Sequence, residues 1–229
     1  MDLICEFSML PLVATILFYQ IGMFLQKKLK TPLCNPLLIA VILMIGTLLL
    51  TGYPNETYQT RMSVISWLIT PATICMAVPL YEQLQILRKD WKAILAGISA
   101  GTIASLFYIL VMCRLLHFDE VLSASLLPKS ITTAMGSVLS GQTGGNEAIT
   151  TAAIVITGVL GNILATPLCK ILRITHPIAQ GVALGTSAHV IGTSKARELS
   201  ELTGAVSSLS LTVAGILTAV LYPFITMIS

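Results

Sequence analysis

Apolar stretches of roughly the length needed to cross a bilayer follow one another along this chain, and that repetition limits its fold more than any single motif. The first runs from about Ile4 to Gln26, and others lie near residues 36–51, 62–81, 93–113, 149–168 and 205–225. A spanning helix takes about 20 residues, so 229 residues accommodate roughly six to eight crossings with no separate soluble domain. Only 10% of the residues are charged, and the mean hydropathy is +0.88, whereas soluble domains carry about 25% charge. The expected fold is all-α: one membrane domain over residues 1–229, a polytopic transmembrane helical bundle.

Basic residues set its orientation. Lys27-Lys28-Leu29-Lys30 closes the first run, and Arg88, Lys89 and Lys92 lie between the third and fourth. Such clusters face the cytoplasm. The formal charge of +3 is too small for a nucleic-acid surface. Cys5, Cys34, Cys75, Cys113 and Cys169 show neither CxxC nor a metal-binding spacing with His, so they read as small buried hydrophobes. The first run lacks a basic stretch before it and reads as a retained helix rather than a signal peptide.

Several segments look interrupted. Pro71 and Pro79 fall in one apolar run, and a proline supplies no amide proton to a helix. Residues 121–140 are only moderately apolar, with Pro128, Lys129 and a Ser/Thr series. If that stretch crossed fully, Lys170 and Arg173 would lie outside against the charge rule; a broken or re-entrant segment removes the conflict. Residues 178–193 are short and punctuated by Gly185 and Gly192, with His189 between them. Interrupted elements around Pro71 to Pro79 and around Gly185 to Thr193 would give one per half, the pattern of an inverted-repeat transporter with a site near the midplane.

Candidate site residues follow from cost. A lysine at the bilayer centre costs about 2.5–3.5 kcal/mol on insertion scales, so Lys129 is a functional candidate by default. Beside it, Pro128 reads as a helix start, and Ser130, Thr132 and Thr133 add donors suited to a carboxylate. The plainer alternative is a lysine that snorkels to an interface. His189 and Thr193 could hold an anion or relay a proton, or His189 could be a buried imidazole satisfied by its own fold. Asn35 before Pro36 is a further binding candidate, equally readable as a helix cap.

Four strings occur in order: Asn35-Pro36-Leu37-Leu38; Pro71-Ala72 with Pro79-Leu80-Tyr81-Glu82-Gln83; Leu127-Pro128-Lys129-Ser130-Ile131-Thr132-Thr133; and His189-Val190-Ile191-Gly192-Thr193. Together they resemble the LrgB/CidB family over nearly the whole chain. Ser187-Ala188, Ser194-Lys195 and Ala134-Met135 depart from its usual pattern, which bears on substrate specificity. The resemblance implies a multi-pass protein of the inner (plasma) membrane, a smaller LrgA/CidA-type membrane partner and homo-oligomers in contact with lipid. It also implies one of two roles. The first is transport of small monocarboxylates such as pyruvate, glycolate or glycerate, two of which a plant relative carries. The second is holin-like or antiholin-like control of murein hydrolase export or activity.

The residues favour the carrier, because discrete polar groups on interrupted helices suit a binding site, and the long amphipathic stripe of a pore is absent from the sequence. No GxSxG, HExxH or Cys/His pairing supports an enzyme, and no cofactor, metal or nucleic acid is expected. The charge pattern predicts that single cysteines in the 27–30 and 88–92 loops resist a membrane-impermeant thiol reagent applied outside intact cells. Labelling of either would reverse the orientation.

Overall fold

The computed structural model describes residues 9–29, 36–75 and 77–226. All regular structure among them is helical: α1 (Leu10–Leu29), α2 (Pro36–Thr51), α3 (Asn55–Cys75), α4 (Ala77–Glu82), α5 (Leu84–Lys89), α6 (Trp91–Leu115), α7 (Glu120–Leu126), α8 (Thr133–Gln142), α9 (Glu147–Ile171), α10 (Pro177–Leu199) and α11 (Glu201–Thr226). Contacts divide the chain into two compact units, residues 1–75 and 76–229.

In the first unit α1 packs on α2. Gly22 makes that possible, because a Cβ there would stand 2.7 Å from the Pro36 backbone. The α2 helix is strongly apolar but spans only about 24 Å at 1.5 Å per residue. The turn between α2 and α3 is confined to residues 52–54, and Asn55 and Glu56 already belong to α3. Pro71 lies inside α3 rather than at a break. Pro79, also expected to interrupt, sits in the first turn of α4, where the amide has no intrahelical partner to lose.

The second unit contains three long apolar helices, α6, α9 and α11, each long enough to span a membrane. Between α6 and α9 the chain enters and returns. At about 10 and 15 Å, α7 and α8 are each far shorter than a hydrocarbon core of about 30 Å. The residues after α8 come back beside α7: the Asn146 amide donates to Ser125 Oγ at 2.7 Å, and the Tyr222 hydroxyl donates to Ala124 O at 2.7 Å while sharing a 2.8 Å bond with Thr143. This is a helical hairpin with its base at residues 124–125 and 143–146 and its tip at residues 127–132. Pro128 follows the Leu127 C-cap and ends α7 rather than starting a helix, because it cannot supply the next amide bond.

A second hairpin is made by α10. Ala188 (φ −127°, ψ 15°) and His189 (φ 42°, ψ −136°) leave helical geometry. Before them, Gly181 meets Thr203 and Val206, and Gly185 meets Ser207 and Ser210, so the first arm runs parallel to α11. After them, Thr193 bonds Ser207 and Arg197 meets Gly204, so the second arm runs back. Gly185 and Gly192 are therefore not breaks. They stay helical as contact points where a side chain has no room: a Cβ on Gly192 would lie 2.8 Å from Leu184 O, across the hairpin. The turn itself falls on two residues with side chains.

The two hairpins enter from opposite ends. The first arm of α10 starts beside the N-terminus of α6, since Asp90 and His176 line one groove, whereas the base of the first hairpin adjoins Tyr222, near the other end of α11. Lys170 and Arg173 thus fall at the end that carries Arg88, Lys89 and Lys92, as the charge rule requires. The order helix, hairpin, helix, hairpin (α6, α7–α8, α9, α10) reverses direction at its midpoint, which is an inverted repeat within the second unit. The paired interruptions are 127–132 and 188–189, not the Pro71–Pro79 and Gly185–Thr193 pairing read from the sequence.

Close packing across the second hairpin predicts that Gly192→Ala destabilises the protein by about 1–3 kcal/mol. Gly46→Ala on α2, where nothing lies within 4 Å of a new Cβ, should be neutral or mildly stabilising. Thermal unfolding in detergent compares the two.

Candidate functional site at the hairpin tips

The base of the first hairpin is held by hydroxyl groups. Thr150 Oγ1, on α9 and fully buried, lies 2.9 Å from Ser125 O, 2.7 Å from Ser140 Oγ and 3.1 Å from Asn146 O. It ties both arms of the hairpin to one helix. Residues 127–131 form a turn, with the Lys129 amide donating to Leu126 O at 3.1 Å and the Ile131 amide to Pro128 O at 3.3 Å. Thr132 then caps α8, its Oγ1 accepting from the Met135 amide at 3.4 Å. Gly136 allows α8 to approach α9, as a Cβ there would reach Ile154 Cδ1 at 2.5 Å.

The same Ile154 receives the second tip. His189 Nε2 lies 2.9 Å from Ile154 O, and because a carbonyl only accepts, this nitrogen carries the proton. Gly158 makes room for the ring, where a Cβ would stand 2.6 Å from Cε1. The positive φ of His189 is a conformation a side-chain-bearing residue holds only where its surroundings impose it. The ring's bond to α9 is one such restraint. Asn162 is another, donating from Nδ2 to Ile191 O at 3.1 Å.

The predicted residues divide accordingly. Lys129 and Ser130 lie half-buried in the first tip, Lys129 within electrostatic range of His189. Ser130 Oγ shares a 3.0 Å bond with Ser105 on α6. Thr132 is a cap and Thr133 an exposed first-turn residue of α8. Thr193 is fully buried and engaged with His189 O at 2.9 Å and Ser207 at 2.8 Å, joining the second arm to α11. Asn35 lies outside the described residues. Among those residues no three His, Cys, Asp or Glu side chains gather as metal ligands would.

Between the first tip and the first arm of α10 is a small cavity, about 10 Å³, lined by the hydroxyl residues Thr102, Ser105, Ser130, Thr186 and Thr218 and for the rest by apolar side chains such as Leu106 and Leu127. Thr102 and Thr218 lie inside long apolar helices and carried no signal as site residues. The i, i+3 spacing of Thr102 and Ser105, which puts two hydroxyls on one face of α6, is a pattern that could have singled out Thr102; nothing comparable marks Thr218. On the far side of Thr186 a groove of about 590 Å³ runs between α6 and the first arm to Asp90 and His176.

Two hairpins that enter from opposite ends and carry polar tips, set beside helices long and apolar enough to cross a membrane, define a multi-pass integral membrane protein. The chain belongs to the LrgB-like family, whose model matches residues 15–228. No solved structure matches it.

The bond from His189 to α9 generates a direct expectation. His189→Phe keeps an aromatic ring but removes the Nε2–H donor to Ile154 O, which keeps its helical bond within α9, so the loss should cost about 0.5–1.5 kcal/mol in unfolding experiments. Gly158→Ala should mimic part of that loss by displacing the ring.

Proposed function

We propose that the protein carries small monocarboxylates, such as pyruvate, glycolate or glycerate, across the inner (plasma) membrane, together with an LrgA/CidA-type partner. The observation that supports this most is the direction of the broken helices. The α8 helix starts at the first tip, and the second arm of α10 starts after His189. Both therefore turn their N-termini toward the interior. Helix N-termini carry partial positive charge and first-turn amides, so the two ends attract an anion. Lys129 adds a full charge at the same depth.

A carboxylate placed there accepts from Lys129, from the Ser130 hydroxyl and from the first turn of α8. In a low-dielectric surround each such bond gains strength. His189 and Thr193 act through the fold, one anchoring the second tip to α9 and the other fixing the second arm to α11. Control of murein hydrolases would then follow from carboxylate flux and its effect on proton balance, not from a pore.

Labelled pyruvate and glycolate should enter proteoliposomes containing the protein, with the LrgA/CidA-type partner present and absent as separate arms. Lys129→Met keeps the apolar stem and removes the charge. A charge-assisted hydrogen bond contributes about 1.5–3 kcal/mol, so apparent affinity should fall about ten-fold or more. Lys195→Met should change little, because Lys195 pairs with Glu198 at 2.6 Å on an exposed helix face. Normal insertion of Lys129→Met with unchanged affinity would remove the site and favour the holin-like role.

A further inference from the structure

The hydroxyl cavity has a size and a chemistry that narrow its occupant. Its volume of about 10 Å³ is that of a single water-sized group. Thr102 is 3% exposed, and its Oγ1 has no hydrogen-bond partner among the described residues. That sets it apart from Thr186, which donates to Val182 O at 2.8 Å and so presents only lone pairs to the cavity. Ser105 and Ser130 share one bond of 3.0 Å, which engages one of their two protons. The cavity therefore offers both donors and acceptors, and none of its lining side chains is charged.

Three kinds of occupant can be compared. A metal cation leaves the Thr102 proton unmatched and lies close to the Lys129 charge, so it is disfavoured twice. A methyl group fits the volume but leaves the hydroxyl buried and unsatisfied. A neutral oxygen accepts from Thr102 and, as a hydroxyl, can donate to Thr186. Ser130, which lines the cavity, directly follows Lys129, so the cavity adjoins the place assigned to the carboxylate.

We propose that this cavity is a subsite for the oxygen on carbon 2 of the carboxylate ligand, which makes Thr102, with Thr186 and Thr218, specificity-determining. The subsite rests on the carrier reading and adds a rule to it: a 2-hydroxy or 2-oxo acid binds better than the acid with hydrogen at that carbon. The geometry matches, since such an oxygen is attached to the atom next to the carboxyl carbon. The carboxylate and the oxygen are thus read by neighbouring residues of one tip.

Binding of propionate and of 2-hydroxypropionate to the purified full-length protein in detergent tests this, because the two ligands differ by that single oxygen. The wild type should prefer 2-hydroxypropionate. Thr102→Val has the same shape without the hydroxyl, and it removes an unpartnered buried group, so folding should not suffer. It should weaken 2-hydroxypropionate about three- to ten-fold and leave propionate unchanged, while Thr102→Ser retains the preference. A wild type that binds both acids alike, or a Thr102→Val protein that keeps the preference, overturns the subsite; a cavity that holds only a bound water gives the latter result. Failure of both acids to bind the wild type overturns the carrier reading itself, and the subsite with it.

Discussion

In hydrocarbon, a backbone amide or carbonyl that lacks a partner has no water to turn to, and each such group costs several kcal/mol. Everything distinctive about the second unit follows from that constraint. Two segments leave helical geometry, and the fold must supply each with partners from neighbouring helices. Short hydroxyl side chains do part of this: Thr193 donates to His189 O at the second tip, and Thr150 lies within bonding distance of Ser125 O at the base of the first hairpin. Tyr222 closes the base of the first hairpin from α11. The hydroxyls of this protein are therefore mostly structural, and the few not used in this way stand out.

Glycine serves the same end by allowing close approach. Gly158 admits the His189 ring to α9, Gly185 lets the first arm of α10 touch the α11 backbone, and Gly192 lets the two arms of α10 meet. Small residues in membrane helices gain packing contact where no hydrophobic force between helices is available. The result is an interior in which the tips are fixed from several directions. That fixity suits a site whose charge, Lys129, would be costly anywhere else in the membrane.

Some of this is legible in the sequence and some is not. Residues 121–140 were legible as broken because Pro128 and Lys129 conflict with a continuous lipid-facing helix and because Lys170 and Arg173 conflict with a full crossing. His189 was legible as unusual, but its bond to Ile154 O joins residues far apart in sequence, which no local pattern encodes. Pro71 and the glycines at 185 and 192 misled, because the same residue types serve kinks, first turns and close contacts alike. Thr102 was hidden because one threonine in an apolar helix normally bonds its own backbone.

Hydropathy, charge clusters and the polar cost of residues 121–140 by themselves determined an all-helical membrane protein with at least one re-entrant element. These are local properties, fixed by how each stretch partitions between water and lipid. Only the tertiary structure decided that α10 doubles back at Ala188 and His189, that the two hairpins enter from opposite ends, and that Thr102 faces the first tip. Those outcomes depend on which helices meet, and that is settled by contacts such as Gly158 with His189 and Gly181 with Val206, whose energies exist only once distant segments are packed together.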